Sequence, residues 1–269
     1  MNEESLDERD RQARIFGLIA VRAGEAILHV RAGANAITKS DGSPVTAADL
    51  EADRIIRECL QRDLPGLPVI SEETCAAATA VNADRFILVD PLDGTREFIQ
   101  GRDEFTVNIA LIEHHAPVAG AVYAPALRQL YLGGTTACRM TVAGHEASPN
   151  FGALRPVRAA RLPAQAWRAV VSRSHLDRET RAWIDRHPVG ELRPSGSSLK
   201  FCVIAAGEAD VYPRLAPTME WDTASGHAIL LAAGGSVIGL DGEPLRYGKP
   251  GYRNGNFVAW ACIGGDAGR

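Results

Sequence analysis

Two aspartates, Asp90 and Asp93, stand three positions apart at the end of the apolar run 86–89, with Pro91 between them and Gly94 and Thr95 directly after. Ionised carboxylates beside an apolar strand are costly unless they are paired or bind a cation. Oxygen-only donors suit a hard cation such as Mg2+, which a few carboxylates hold together with a phosphate. Pro91 and Gly94 place both acids on a sharp loop at the strand's C-terminal end. A pair of Asx turns is the plainer reading, since Asp before Pro and Asp before Gly are common turn formers. Two acids and a hydroxyl together, at the mouth of a core strand, favour the cation.

Other acids and anion donors stand at the ends of other elements. Glu72 and Glu73 follow a short apolar strand, 67–70; alone, such a pair reads as a solvated loop. Thr46-Ala47-Ala48-Asp49 fits a capping box opening a helix that runs to about residue 60. Asp222, after Trp221, lies near the start of a helix reaching about residue 233, where Asp is common for capping alone. The Ala224 and Gly226 spacing lets that helix pack closely. Ser172, Arg173, Ser174 and His175 follow a short strand, 169–172. Ser174 is expected to cap a helix over 176–187, and a helix N-terminus attracts phosphate. Ser197 and Ser198 form another cap before a helix over 199–206, with Lys200 in its first turn, where the helix dipole slightly disfavours a cation. Arg214 ends a strand over 209–214.

The remaining elements are read from periodicity. Residues 6–30 form an amphipathic helix with Ile15, Ile19, Ala23, Ala26, Ile27 and Val30 near one face, and Gly33 marks its stop. Turn residues make 39–44 a loop. Strand 105–112 returns to the interior after the acidic loop, and 117–123 and 129–132 read as an antiparallel pair. Residues 133–162 carry little pattern and several prolines. They are the natural boundary between an N-terminal α+β part, 1–155, and a C-terminal α/β part, 156–269. Residues 236–240 are a last core strand, and 250–269 are expected to be partly mobile.

Asp90-Pro91-Leu92-Asp93-Gly94-Thr95 resembles the signature of the inositol monophosphatase-like superfamily of Mg2+-dependent, lithium-sensitive phosphomonoesterases. The segments 96–99, 104–112 and 196–202 are similar to its bacterial 3'(2'),5'-bisphosphate nucleotidase branch. The likeness runs from about residue 24 to about residue 244. It implies a layered αβαβα sugar-phosphatase fold, of α/β (α+β) class. It also implies a site for two Mg2+ ions, or three. Glu72, Asp90 and the Leu92 carbonyl would hold one ion. Asp90, Asp93 and Asp222 would hold the second, and a third would lean on Glu72. Asp49 would hold Thr95, and these two with Glu72 would be the catalytic residues, acting on a metal-activated water. Ser172, His175, Ser198, Lys200 and Arg214 would contact the nucleotide, alongside Glu72, Asp93, Gly94, Thr95 and Asp222. The implied substrates are 3'-phosphoadenosine 5'-phosphate and its sulfated counterpart, cut at the 3' position in the service of sulfur assimilation.

Composition bounds these readings. The chain has 269 residues, 46% hydrophobic and 23% charged, with a net charge of -4. That charge argues against a general binder of nucleic-acid polymers. Five scattered cysteines without a CxxC pair suggest reduced thiols, not a zinc site or disulfide framework. The polar N-terminus lacks the basic and apolar regions of a signal peptide, and no apolar run is long enough to span a bilayer. A cytoplasmic enzyme is expected, monomeric or homodimeric, with peripheral association at the inner membrane face left open. Two alternatives stand beside the nucleotidase. One is an inositol monophosphatase or other sugar or polyol phosphatase of the same fold. The other is a non-catalytic metal-binding regulatory protein.

Overall fold

A computed structural model describes residues 7–31, 36–38, 44–75, 83–144, 149–173 and 176–263. The first half of the chain runs through α1 (Glu8–Arg31), β1 (Ala36–Thr38), β2 (Pro44–Thr46), α2 (Ala47–Asp63), β3 (Val69–Ser71), β4 (Arg85–Asp93), α3 (Thr95–Ile99), β5 (Thr106–Glu113), β6 (Ala116–Ala124), β7 (Gln129–Gly133), β8 (Ala137–Thr141) and β9 (Arg155–Pro156). The second half follows as β10 (Trp167–Ser172), α4 (Arg178–Asp185), β11 (Val189–Ser195), α5 (Leu199–Ala205), β12 (Val211–Arg214), β13 (Thr218–Met219), α6 (Ala224–Ala232), β14 (Ser236–Gly239), β15 (Arg253–Asn254) and β16 (Phe257–Trp260).

Strands β3 to β9 form a seven-stranded sheet in sequence order; β3 pairs parallel with β4 and the other pairs are antiparallel. One face meets α1 and α2, whose buried Phe16, Ile19, Ala23, Ile27, Ala52, Ile56 and Leu60 pack on Ile87, Val89, Ile109 and Tyr123. The other face meets α6. Helices α5 and α6 then rest on a five-stranded sheet, ordered β11-β10-β12-β16-β14, and α4 covers its far side. The order is helix, sheet, helix, sheet, helix, which is the layered αβαβα architecture that the motifs imply. The middle core mixes Val122, Ala124 and Tyr131 of the first sheet with Phe201, Ile229, Leu230 and Phe257. No helix among the described residues is long and apolar enough to cross a membrane, and all five cysteines are free thiols.

Several sequence expectations shift. The helix after residue 175 is capped by Asp177, whose carboxylate accepts from the Thr180 amide at 2.8 Å, not by Ser174. Ser174 lies outside the described residues, as do Gly33 and most of the loop 39–44. Ser198 precedes α5 but makes no side-chain cap bond, because its hydroxyl is engaged elsewhere. Residues 250–263 are built into the fold: β16 pairs with both β12 and β14, and Phe257 and Ala259 are fully buried. A four-residue strand between Gly-rich and Asn-rich segments is too short for its alternation to stand out.

Helix α6 sits against α5 because Gly226 has no side chain: a Cβ there would stand 2.6–2.7 Å from the Phe201 ring. The expected close approach is present, and it makes a prediction. Gly226→Ala overpacks this contact and should cost about 1–3 kcal/mol, read as a lowered urea midpoint with unchanged slope.

Candidate active site

The acidic loop is shaped by an irregular ladder. Pairing continues past the expected end of β4: Asp90 opposes Asn108 and Asp93 opposes Thr106, so β4 carries one residue more than β5 between these pairs. Pro91, which cannot donate to a ladder, sits in that bulge. Along a regular strand, side chains three apart point to opposite faces. The extra residue corrects the parity and turns both carboxylates the same way. Gly94 completes the turn at φ 93°, the left-handed region that costs a residue with a Cβ, directly before α3.

Asp49 comes from α2. Its Oδ2 accepts from the Thr46 backbone amide at 2.7 Å and the Thr46 hydroxyl at 2.6 Å, the reciprocal arrangement of a capping box. Its Oδ1 accepts from Thr95 Oγ1 at 3.0 Å. One carboxylate thus caps a helix and holds the threonine of the acidic loop. Thr95 Oγ1 is also 3.2 Å from the Leu92 carbonyl. Glu72 is set by its amide, which donates to the Val89 carbonyl at 3.1 Å, so β3 delivers it beside the end of β4. Ser71 just before it donates to buried Asp53, one helical turn after Asp49.

Asp222 stands at the turn before α6, where its Oδ2 accepts from the Met219 amide at 2.8 Å. Ser198 links the two halves of the site. Its hydroxyl is 2.7 Å from the Asp222 carbonyl and 3.1 Å from Asp93 Oδ2, and it accepts from Asn108 Nδ2 at 2.9 Å. Ser198 is therefore buried behind the carboxylates. The neighbouring Ser197 lines the adjoining cavity and donates to the Asp93 carbonyl at 2.5 Å. Ser197, read from the sequence only as part of a helix cap, and Asn108 were not expected in the site; for Asn108 the available signal is a polar residue inside the apolar run of β5.

These acids act on one another's charge. Burial first, then Glu72, Asp93, Asp222 and Asp49, hold Asp90 well above the usual carboxylate range. Asp93 is raised by burial, against the pull of Lys200 and the hydroxyls of Ser197 and Ser198. Burial and then Asp93 push Asp222 up to about 8. Five carboxylates from four segments would repel one another unless a cation entered. An oxygen-only, mutually repelling donor set fits a hard divalent ion. Among the described residues no three such side chains are already drawn into a closed cage. Asp90, Asp93 and Asp222 each have one oxygen engaged in a hydrogen bond within the protein.

From Asp93 and Asp222 a cavity opens past Gly94, Glu97, Ser172 and Lys200 to Tyr212 and Arg214. Lys200 is buried, donates to the Ser197 carbonyl at 2.5 Å and stands 5.4 Å from the Tyr212 ring centre. Burial lowers its pKa to about 8, although Asp93 opposes this. Arg214 donates to the carbonyls of Ala216 and Pro217, both at 3.2 Å, while lining the cavity. The cavity is lined by both signs of charge: Asp93, Glu97 and Asp222 with Lys200 and Arg214. His175 lies outside the described residues. Of the expected contacts, Asp93, Gly94, Ser172, Lys200, Arg214 and Asp222 line the cavity; Ser198, expected to touch the nucleotide, is instead spent on Asp93 and Asp222 behind it.

The comparisons agree with this architecture. The inositol monophosphatase family model matches residues 8–263. The chain is 41% identical over 247 residues to a 3'(2'),5'-bisphosphate nucleotidase CysQ of Escherichia coli O157:H7, covering 87% of this chain and 96% of that one. It is 43% identical, with the same coverage, to a CysQ of Salmonella typhimurium. The crystal structure of CysQ from Bacteroides thetaiotaomicron superposes with a TM-score of 0.81 at 40% identity, covering 94% of this chain and 98% of that one. The chain belongs to the inositol monophosphatase family.

Proposed function

We propose that this protein is a Mg2+-dependent 3'(2'),5'-bisphosphate nucleotidase. Its substrates are 3'-phosphoadenosine 5'-phosphate and 3'-phosphoadenosine 5'-phosphosulfate, and its products are AMP or adenosine 5'-phosphosulfate with inorganic phosphate. The observation that carries this reading is one cavity lined both by members of the crowded carboxylate group, Asp93 and Asp222, and by two cations, Lys200 and Arg214. A bisphosphate has two anionic groups to place, and a simple polyol phosphate has one. The names of the bacterial relatives support the same substrate class.

Glu72, Asp90, Asp93, Asp222 and the Leu92 carbonyl are the groups to hold Mg2+. Bound there, the ion supplies Lewis acidity toward phosphate and water. The chain's own part is orientation and proton movement. Thr95 Oγ1 takes the proton of the attacking water as it gives its own to Asp49 Oδ1, 3.0 Å away, so the threonine ends neutral and Asp49 protonated. Asp49 is fixed for this by its two bonds to Thr46. Lys200 and Arg214 receive the 5'-phosphate as charge-assisted donors, and Ser172 and Ser197 add hydroxyls on the same wall.

The test is phosphate release from 3'-phosphoadenosine 5'-phosphate and from inositol 1-phosphate, side by side, with Mg2+, with EDTA and with Mg2+ plus Li+. The nucleotide should be strongly preferred, EDTA should abolish turnover and Li+ should suppress it. Lys200→Ala should raise the nucleotide KM about tenfold or more, the worth of a lost charged hydrogen bond, while sparing inositol phosphate. Preference for inositol phosphate would contradict the nucleotide reading and leave the metal site standing.

A further inference from the structure

Beside the cavity, which Gly196 lines, three segments meet in one junction. Arg173 forks onto Glu104, Nε to Oε2 at 2.8 Å and Nη2 to Oε1 at 2.9 Å, and its Nη2 also donates to the Pro194 carbonyl at 3.1 Å. The Gly196 amide donates to the same Glu104 Oε2 at 3.0 Å. Glu104 belongs to the loop that follows α3 and leads into β5 of the first sheet. Arg173 directly follows cavity-lining Ser172 at the end of β10. Gly196 directly precedes cavity-lining Ser197 at the end of β11. The junction therefore ties the first-sheet wall, which carries Asp93 and Gly94, to the second-sheet wall, which carries Ser172, Ser197 and Lys200.

Two observations show that the junction fixes a demanding geometry. A Cβ on Gly196 would stand 2.8 Å from both Glu104 Cβ and its carbonyl oxygen, so the strand end presses directly on the glutamate. Ser197 adopts φ 51°, a left-handed conformation that a residue with a side chain holds only when its surroundings impose it. From that conformation it donates to the Asp93 carbonyl and accepts from Lys200. The anion donors are thus set against the carboxylates through a backbone that the junction pins from outside.

We infer that the Glu104–Arg173–Gly196 junction is a specificity-determining, positioning device. It holds the two walls at the separation that suits a nucleoside bisphosphate, without itself touching the reacting atoms. The inference rests on the nucleotidase reading. The pair is partly exposed, at 44% and 25% of side-chain surface, and such pairs add little to stability. Its planar fork fixes orientation, which a lysine point charge would not do.

The test compares Arg173→Ala, Arg173→Lys and Glu104→Gln on 3'-phosphoadenosine 5'-phosphate and on p-nitrophenyl phosphate, a small monoester that needs only the carboxylates. Each variant should raise the nucleotide KM by about tenfold or more, the scale of a misplaced binding wall. Each should leave kcat/KM for p-nitrophenyl phosphate and the melting temperature nearly unchanged. The Arg173→Ala/Glu104→Gln double variant should be no worse than the worse single one, because the residues act as a unit. An unchanged nucleotide KM, or an equal loss on both substrates, would overturn the inference. So would a lowered KM in Glu104→Gln, because that is the result of freeing Arg173 to bind the nucleotide directly. Wild-type enzyme that handles both substrates alike would overturn the nucleotidase reading itself, and the specificity claim with it.

Discussion

Asp90→Asn should abolish turnover and, in metal-free protein, raise the melting temperature. Both effects come from the same carboxylate. Asp90 is 1% exposed and faces Glu72, Asp93, Asp222 and Asp49. Outer partners of a metal site cost 10–100-fold when removed, so losing a proposed direct Mg2+ donor should exceed about 100-fold in kcat. The asparagine keeps the shape and can still accept from the Leu92 amide, as Asp90 Oδ1 does at 3.1 Å. Stability moves the other way because of linkage. Asp90, Asp93 and Asp222 all have folded pKa values raised above those of an unfolded chain, with Asp222 at about 8. Between pH of about 4 and about 8 the native state keeps protons that the unfolded state has released. Stability of the metal-free protein is therefore full below about pH 4, as far as these groups go, and falls as pH rises toward 8. Asp90→Asn removes one such group. A gain of only about 1 kcal/mol would raise the midpoint by about 2–4 °C in a chain of this size. Saturating Mg2+ should flatten the pH dependence in wild type by binding the deprotonated form, and do so less in the variant. Scanning calorimetry across pH, with EDTA and with Mg2+, reads both. A metal-free melting temperature that rises from pH 5 to pH 8 would contradict the crowded-carboxylate account.

Thr95→Val should lower kcat by about 10²–10⁴-fold, the usual contribution of a positioned proton-transfer group, with little change in nucleotide KM. Valine keeps the branched shape at the start of α3 and removes the hydroxyl that reaches Asp49 Oδ1. Asp49 keeps its two bonds from Thr46, so α2 remains capped and the fold should be unaffected. Steady-state kinetics on the nucleotide, with melting temperature as control, reads the effect. Full activity in Thr95→Val would remove Thr95 and Asp49 from the proton path while leaving the metal ligands in place. A kcat loss matched by an equal loss in Mg2+ affinity would mean that the hydroxyl serves the metal loop rather than the water.

The acidic loop was legible because its chemistry is contiguous. Asp90, Asp93, Gly94 and Thr95 sit within six residues, and the turn formers between them announce a break in the strand. What the sequence hid was that pairing resumes at Asp93, because a one-residue bulge is a property of two strands together. Asp49 was legible twice, once as a capping residue and once through the family likeness, and the geometry joins both in one side chain. Ser197 and Ser198 are adjacent serines with opposite surroundings, one facing the cavity and one bonded behind Asp93. Only the left-handed turn at Ser197 separates them, and composition carries no mark of it. The last sheet strand was missed for a different reason: β16 is an interior strand because β12 and β14 flank it, and its four residues carry no periodicity of their own.

The measurement that tests the central claim most directly is an anomalous-difference map from a crystal grown with Mn2+ in place of Mg2+ and with AMP and phosphate. The account predicts peaks ringed by Glu72, Asp90, Asp93, Asp222 and the Leu92 carbonyl, with phosphate against them and the nucleotide's 5'-phosphate toward Lys200 and Arg214. Metal bound elsewhere, or a nucleotide whose 5'-phosphate points away from Lys200, would contradict it.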